Sequence, residues 1–204
     1  RAAVDVGNIL AMEHVNVTVP DQSIATMFYV NGLGFTRDPY MDWGAFNVWV
    51  NVGRQQFHLP TASAQVLRGH IGVVVPDLES LNIRLERLGN RLSNTHFKVT
   101  PKKRYLDVRC PWGNHLRCYA PGPFGNMQLG IPYVEFSVPE GTSPGIRRFY
   151  EQVIGCQARL NKKQTECEVL VGQEQFLRFK ETKRANPHYD GHHIAIYVAN
   201  FSGP

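Results

Sequence analysis

The 204-residue sequence lacks any long apolar run, and none of its hydrophobic stretches approaches the roughly 18 to 20 residues that a membrane-spanning helix needs. The first residues also lack the apolar segment that defines a secretory signal peptide. From the sequence we therefore expect a cytoplasmic protein that does not enter a membrane.

Motifs of several common functional sites are missing as well. No two of the four cysteines have C-x-x-C spacing, so neither a zinc knuckle nor a thioredoxin-like site is indicated, and we expect reduced, structural cysteines. There is no phosphate-binding glycine loop and no G-x-S-x-G motif. The net charge of +5 comes from scattered basic residues, which argues against nucleic-acid binding and weakly favours small anionic ligands.

What the sequence does contain is an internal repeat. Four alternating, β-branched segments recur at intervals of roughly 60 residues, and each predicts a strand. These segments begin at His14, His70, Tyr133 and His193.

A turn and a helix are predicted after each of the first three segments. Proline followed by an acidic residue forms each turn, and a helix-period segment follows over 23–31, 78–88 and 144–154. Each of these segments stops at or just before a glycine, which is a common helix end. Further on, residues 52–57 resemble residues 171–176 at the same interval that separates His14 from Tyr133.

The repeat predicts an α+β fold of tandem βαβββ modules, which form curved, barrel-like mixed sheets with helices outside. We expect residues 8–121 to form an N-terminal pair of modules. Residues 122–204 would hold a third module and the first strand of a fourth, which is incomplete within this sequence. The turn-rich segment 121–125 is the predicted linker.

Two motifs resemble those of a known superfamily. The opening His14-Val-Asn-Val-Thr-Val-Pro-Asp, followed by Phe-Tyr and Gly-Leu-Gly-Phe, resembles the start of a vicinal oxygen chelate module, as in glyoxalases, bleomycin-resistance proteins and extradiol dioxygenases. The segment Cys110-Pro-Trp-Gly-Asn-His-Leu-Arg117 resembles the closing D-P-x-G-N hairpin of that family. The resemblance covers nearly the whole chain, but it is specific for the fold and not for one reaction.

The resemblance implies metal ligands on the first and fourth strands of each module. The first-strand positions are those that open the four repeats, and the fourth-strand positions carried over are His58, Arg117 and Leu177. Strand alternation places Val15 and Val17 under the helix, with His14 and Asn16 facing the cleft. The predicted metal site is His14, His58 and His70, which would hold Fe, Zn, Ni or Mn.

Arg117 stands where the family pattern has glutamate. It could bind a carboxylate or phosphate of a substrate, or it could fill the space of a lost metal site. Side chains expected to contact a small, anionic or aromatic ligand are Asn16, Asn47, Trp49, Asp107, Arg117 and Tyr119. In the second half, the expected cleft residues are Tyr133, Glu135 and His193.

Two functions of different kinds remain open from the residues and the resemblance. The first is a glyoxalase- or dioxygenase-like enzyme, a lyase, isomerase or dioxygenase that uses a divalent metal and a small oxygen-bearing substrate. The second is a metal-free protein that binds a small molecule, as resistance proteins do. A third hypothesis is an interaction protein whose modules only dimerise, and the sequence is compatible with a homodimer without establishing one.

Overall fold

The computed structural model describes residues 7–41 and 44–202, and it confirms the α+β class. The chain runs through three βαβββ modules and then one further strand. The strands are β1 (Ile9–Asn16), β2 (Thr36–Arg37), β3 (Asn47–Val52), β4 (Gln55–Pro60), β5 (Gly69–Val74), β6 (Lys98–Pro101), β7 (Leu106–Arg109), β8 (His115–Tyr119), β9 (Gly130–Pro139), β10 (Ala158–Leu160), β11 (Glu166–Gly172), β12 (Gln175–Thr182) and β13 (His193–Val198).

The helices begin where the sequence predicts them. The helices are α1 (Gln22–Ala25), α2 (Leu78–Leu88) and α3 (Ser143–Phe149), and α1 and α3 continue as π-helical segments (Thr26–Gly32 and Tyr150–Ile154). The Asp21 carboxylate accepts hydrogen bonds from the backbone N–H groups of Ser23 and Ile24, and the Asp77 carboxylate accepts one from Ser80. These bonds satisfy donors that a helix start otherwise leaves unpaired.

The strands form two open mixed sheets that do not close into a barrel. The five-stranded sheet has the order β13-β1-β4-β3-β2, and the eight-stranded sheet has the order β10-β11-β12-β9-β5-β8-β7-β6. Module one therefore shares its sheet with the first strand of module four, and module two shares its sheet with module three. Modules one and two, which the sequence places together over residues 8–121, thus contribute their strands to different sheets.

Both sheet junctions use the same geometry. First strands of two modules pair antiparallel, with His70 opposite Glu135 in one junction and Val15 opposite Ile194 in the other. Because the four first strands carry similar alternating patterns, local sequence allows any two of them to pair. The choice of partner is decided by long-range packing.

The apolar faces of both sheets pack against the helices in one continuous core. Alternate residues of β1 and β5, such as Val15 and Ile71, are buried together with Phe28 and Tyr29 of the first helical segment and Leu85 of α2. This leaves the opposite face of each sheet for polar side chains. Within residues 7–41 and 44–202, no helix is long and apolar enough to cross a membrane.

Two buried glutamines join the sheets at β9. Gln175 accepts a hydrogen bond from the backbone N–H of Met12 at 3.2 Å and donates to the carbonyls of Met12 and Ile131 at 3.4 and 3.3 Å. Gln55 accepts from the N–H of Ile131 at 3.1 Å. Both amide groups therefore satisfy backbone groups that the sheets leave unpaired in the interior.

Replacing Gln175 with alanine is expected to lower the free energy of unfolding by about 1–3 kcal/mol, because the backbone groups of Met12 and Ile131 would lose their partners inside the protein. Gln173→Ala is the control, since Gln173 is exposed in the turn before β12. Urea unfolding followed by circular dichroism measures both variants. Equal effects of the two substitutions would contradict this role for Gln175.

Candidate functional site

The polar face of the five-stranded sheet, here called the five-strand face, carries three histidines from three strands. His14 lies on β1, His58 on β4 and His193 on β13. The ring centroid of His14 lies 5.6 Å from that of His58 and 6.3 Å from that of His193. Asn16, which is buried, pairs with His193 on one side and His58 on the other, so the three strands hold the histidines in one patch.

A β-bulge in β1 adds a carboxylate to this patch. The pairing of β1 with β13 shifts between Met12 and His14, so Glu13 is the additional residue. The Glu13 carboxylate accepts a hydrogen bond from the Nδ1–H of His14. Strict alternation places Glu13 on the opposite face from His14, so the sequence pattern could not identify it.

Each of the three imidazoles donates one N–H to a protein oxygen. His14 donates to Glu13, His58 donates from Nε2 to the Asn47 side-chain oxygen at 2.5 Å, and His193 donates from Nδ1 to the carbonyl of Gly191 at 3.1 Å. In each ring the other nitrogen then carries the lone pair that a metal ion needs. Metal-binding histidines are oriented by such partners in most sites.

Trp49 forms one wall of the five-strand face. Its indole ring stacks on the His58 ring with centroids 3.8 Å apart, and its Nε1–H is buried without an acceptor among the described residues. Burial and repulsion from His14 and His193 lower the pKa of His58 to about 4, so this imidazole is neutral near pH 7. A buried donor without a partner is costly, and an oxygen atom of a ligand would satisfy it.

The polar face of the eight-stranded sheet, here called the eight-strand face, carries a hydrogen-bonded chain of side chains. The hydroxyl of Tyr133 lies 2.9 Å from His70 Nε2 and 2.9 Å from the hydroxyl of Tyr119. His70 Nδ1 lies 3.4 Å from a carboxylate oxygen of Glu135. Burial, reinforced by repulsion from Arg117 and Arg178, lowers the pKa of His70 to about 3, and burial raises the pKa of Glu135.

The strand registers correct one of the family-derived positions. Within their modules, Val15 pairs with Phe57, Ile71 with Leu116 and Val134 with Leu177, so these three fourth-strand residues are equivalent and all buried. The residues that follow them are His58, Arg117 and Arg178. Leu177 is therefore a core residue, and Arg178 occupies the position that the sequence alignment assigned to Leu177.

The structure separates the three histidines predicted as one metal site. His14 and His58 lie on the five-strand face, whereas His70 lies on the eight-strand face, because β1 pairs with β13 and β5 pairs with β9. His193, placed by the sequence in a second-half cleft, joins His14 and His58 instead.

The other candidate residues divide in the same way, and their roles stay predictions. Asn16, Asn47 and Trp49 belong to the five-strand face, and Asp107, Arg117, Tyr119, Tyr133 and Glu135 belong to the eight-strand face. The carboxylate oxygen Oδ1 of Asp107 lies 3.6 Å from His115 Nδ1.

A metal ion would need some movement of these side chains. Among residues 7–41 and 44–202, no three His, Cys, Asp or Glu side chains stand in a geometry that could hold an ion as they are. Two imidazoles that share an ion, with metal–nitrogen bonds of roughly 2.1 Å, have ring centroids about 5 to 6 Å apart. The His14 ring lies 5.6 Å from the His58 ring, within this range, and 6.3 Å from the His193 ring, just beyond it, so these are the residues that would hold a divalent ion if their rings turned towards one point.

We expect His70 to make stability depend on pH. Because its folded-state pKa of about 3 lies below the ordinary value of 6.5, the unfolded chain binds the proton first, and stability is lost as pH falls from about 6.5 towards 3. The melting-temperature difference between wild type and His70→Gln should therefore shrink between pH 7.5 and pH 4.5. His115→Gln, on neighbouring β8, is the control. A difference that stays constant with pH would contradict the effect.

Comparison with known proteins supports the fold. No protein-family model matches the sequence, and no curated protein matches it. Among solved structures, one named "putative dioxygenase from Bacillus subtilis" superposes with a TM-score of 0.60 at 16% sequence identity. The match covers 93% of this chain and 70% of the dioxygenase chain. Glyoxalase I from Zea mays superposes with a TM-score of 0.56 at 13% sequence identity. The match covers 92% of this chain and 72% of the glyoxalase chain.

At these identities the similarity concerns the fold alone. It extends over more than nine tenths of the chain. The chain therefore has a fold similar to that of these glyoxalase and dioxygenase structures, as its sequence motifs predicted.

Proposed function

We propose that the five-strand face binds one divalent metal ion through His14, His58 and His193, and that the protein acts there on a small oxygen-bearing substrate. The observation that carries this proposal is the arrangement of the three imidazoles. They lie side by side on three strands, and each has one nitrogen oriented by a protein oxygen. Three imidazoles with open positions suit zinc, iron, nickel or manganese.

Charge also favours a cation at this face. Glu13 supplies a carboxylate beside His14, which compensates part of the charge of a divalent ion. Arg117, which stands where the family pattern has glutamate, belongs to the other sheet. The main sequence argument for a metal-free protein therefore does not apply to the five-strand face.

The chain's own residues have distinct tasks in this proposal. A bound divalent ion would supply Lewis-acid polarisation of substrate oxygens. Asn47 and Glu13 hold His58 and His14 in the tautomers that leave a ligand nitrogen. Trp49 would donate its unpaired indole N–H to a substrate oxygen, and its ring covers the side of His58 and excludes water there. Lyase, isomerase and dioxygenase reactions all agree with this arrangement.

Metal binding tests the proposal directly. Wild type is expected to bind about one Ni²⁺ or Zn²⁺ per chain in isothermal titration calorimetry, and His14→Ala and His193→Ala should each weaken the affinity by about 10-fold or more, because each removes one ligand. Metal content after dialysis, measured by mass spectrometry, gives an independent readout.

His70→Gln is the matched control, because His70 belongs to the ligand set derived from sequence but lies on the other face. We expect it to retain the wild-type affinity. Unchanged metal binding in both His14→Ala and His193→Ala, or loss of binding in His70→Gln alone, would overturn the proposed site. Thermal unfolding of each variant shows whether it is folded.

A further inference from the structure

The eight-strand face has arginines where the five-strand face has a histidine. The registers make Arg117 of β8 and Arg178 of β12 equivalent to His58 of β4. The first-strand positions of this face are His70 and Tyr133. Modules two and three thus present two guanidinium groups to one shared surface, and the pairing of β5 with β9 brings both groups to the same pair of first strands.

Arg117 forms no ion pair among the described residues. No carboxylate oxygen in the described part of the chain lies within 4 Å of its guanidinium group, although the Glu135 carboxylate is near enough to attract it. Asp107 stands directly opposite Arg117 in the sheet but lies close to His115 instead. The guanidinium carbon lies 5.2 Å from the centre of the Tyr105 ring, so the planar group rests against an aromatic surface.

Arg178 is held in place by an acidic residue and by the Tyr133 ring. Its Nε donates to Glu168 at 2.7 Å, and its guanidinium carbon lies 4.2 Å from the centre of the Tyr133 ring. Both arginines also disfavour the charged form of His70, which shows that their positive fields overlap at this point. Glu135 faces this region as well. Its carboxylate lies 3.4 Å from His70 Nδ1 and is also attracted by Lys180, Arg117 and Arg178.

Aromatic rings form a wall beside the two arginines. The Tyr119 ring lies 5.3 Å from that of Tyr105 and 5.1 Å from that of Phe124, and the Phe124 and Tyr133 rings are 5.7 Å apart. Gly72 allows this packing, since a Cβ there would lie 2.3 Å from the Tyr133 ring.

We propose that the eight-strand face is a second, metal-free ligand site that binds a small aromatic carboxylate. The planar guanidinium of Arg117 would bind the carboxylate through two parallel hydrogen bonds, and Arg178 would add positive charge. The aromatic wall would contact the ring of the ligand. This site goes beyond the proposed metal centre and uses none of its residues.

Benzoate is the probe for this site. We expect it to bind to metal-free wild type in isothermal titration calorimetry and to raise the melting temperature. Arg117→Gln should lower the benzoate affinity by about 10- to 100-fold, because a hydrogen bond between charged groups is lost. Arg117→Lys keeps the charge but cannot form two parallel bonds, so its affinity should fall between those of wild type and Arg117→Gln.

Arg109→Gln is the matched control. It removes the same charge from the same sheet face, where Arg109 is exposed on β7 opposite His115 and contacts neither Arg178 nor its partner Glu168 in an ion pair among the described residues. We expect benzoate affinity within about 2-fold of wild type. Cyclohexanecarboxylate and inorganic phosphate should bind more weakly than benzoate, because neither offers both a flat ring and a planar carboxylate.

Absence of benzoate binding by folded wild type, or equal losses in Arg117→Gln and Arg109→Gln, would overturn the proposal. Phosphate binding tighter than benzoate would also overturn it, since the site would then select phosphate. His14→Ala is expected to bind benzoate normally, and Arg117→Gln is expected to bind metal normally. Failure of one site is thereby distinguished from failure of the other.

Discussion

The backbone of β9 at Ile131 is the point on which the two sheets depend. Gln175 accepts from Met12 and donates to the Ile131 carbonyl, and Gln55 accepts from the Ile131 N–H. These buried bonds tie β1 and β4 of one sheet to β9 of the other, and they hold β9 where it pairs with β5. Since amide groups inside a protein are costly when unpaired, the bonds stabilise one arrangement of modules over the alternatives.

This arrangement creates two polar faces with opposite chemical character. The five-strand face collects three imidazoles and one carboxylate, which suits a cation. The eight-strand face carries Arg117 and Arg178 at equivalent positions, which suits an anion. Equivalent strands of the repeated module share one backbone geometry, but the side chain after the buried fourth-strand residue is histidine at His58 and arginine at Arg117 and Arg178. The fold does not select the ligand, and a few inward-facing side chains do.

Much of the fold could be predicted because its signals are local. Alternating apolar residues predict the strands, Asp21 and Asp77 mark helix starts, and the glycines mark helix ends. The faces of most strands also follow from alternation, as with His14 and Val15. The candidate site was predicted less well. His14 and His58 do share a face, but His70 does not, and His193 takes its place.

The errors have specific physical causes. The bulge in β1 turns Glu13 towards the histidine patch, and a bulge depends on pairing with β13, which lies far away in sequence. Arg178 was missed because matching the turns at 52–57 and 171–176 placed β12 one residue out of register, and a shift of one residue exchanges the two faces of a strand.

By itself, the sequence determined the modules, their helices, the alternation of core and polar residues, and the presence of histidines and arginines at repeated positions. These features depend on residues close together in the chain. Only the tertiary structure decided which module pairs with which, and hence that His14, His58 and His193 meet while Arg117 and Arg178 share another face. The four first strands are too similar for local pattern to choose among them, so buried contacts between distant residues, such as Gln175 with Met12, make that choice.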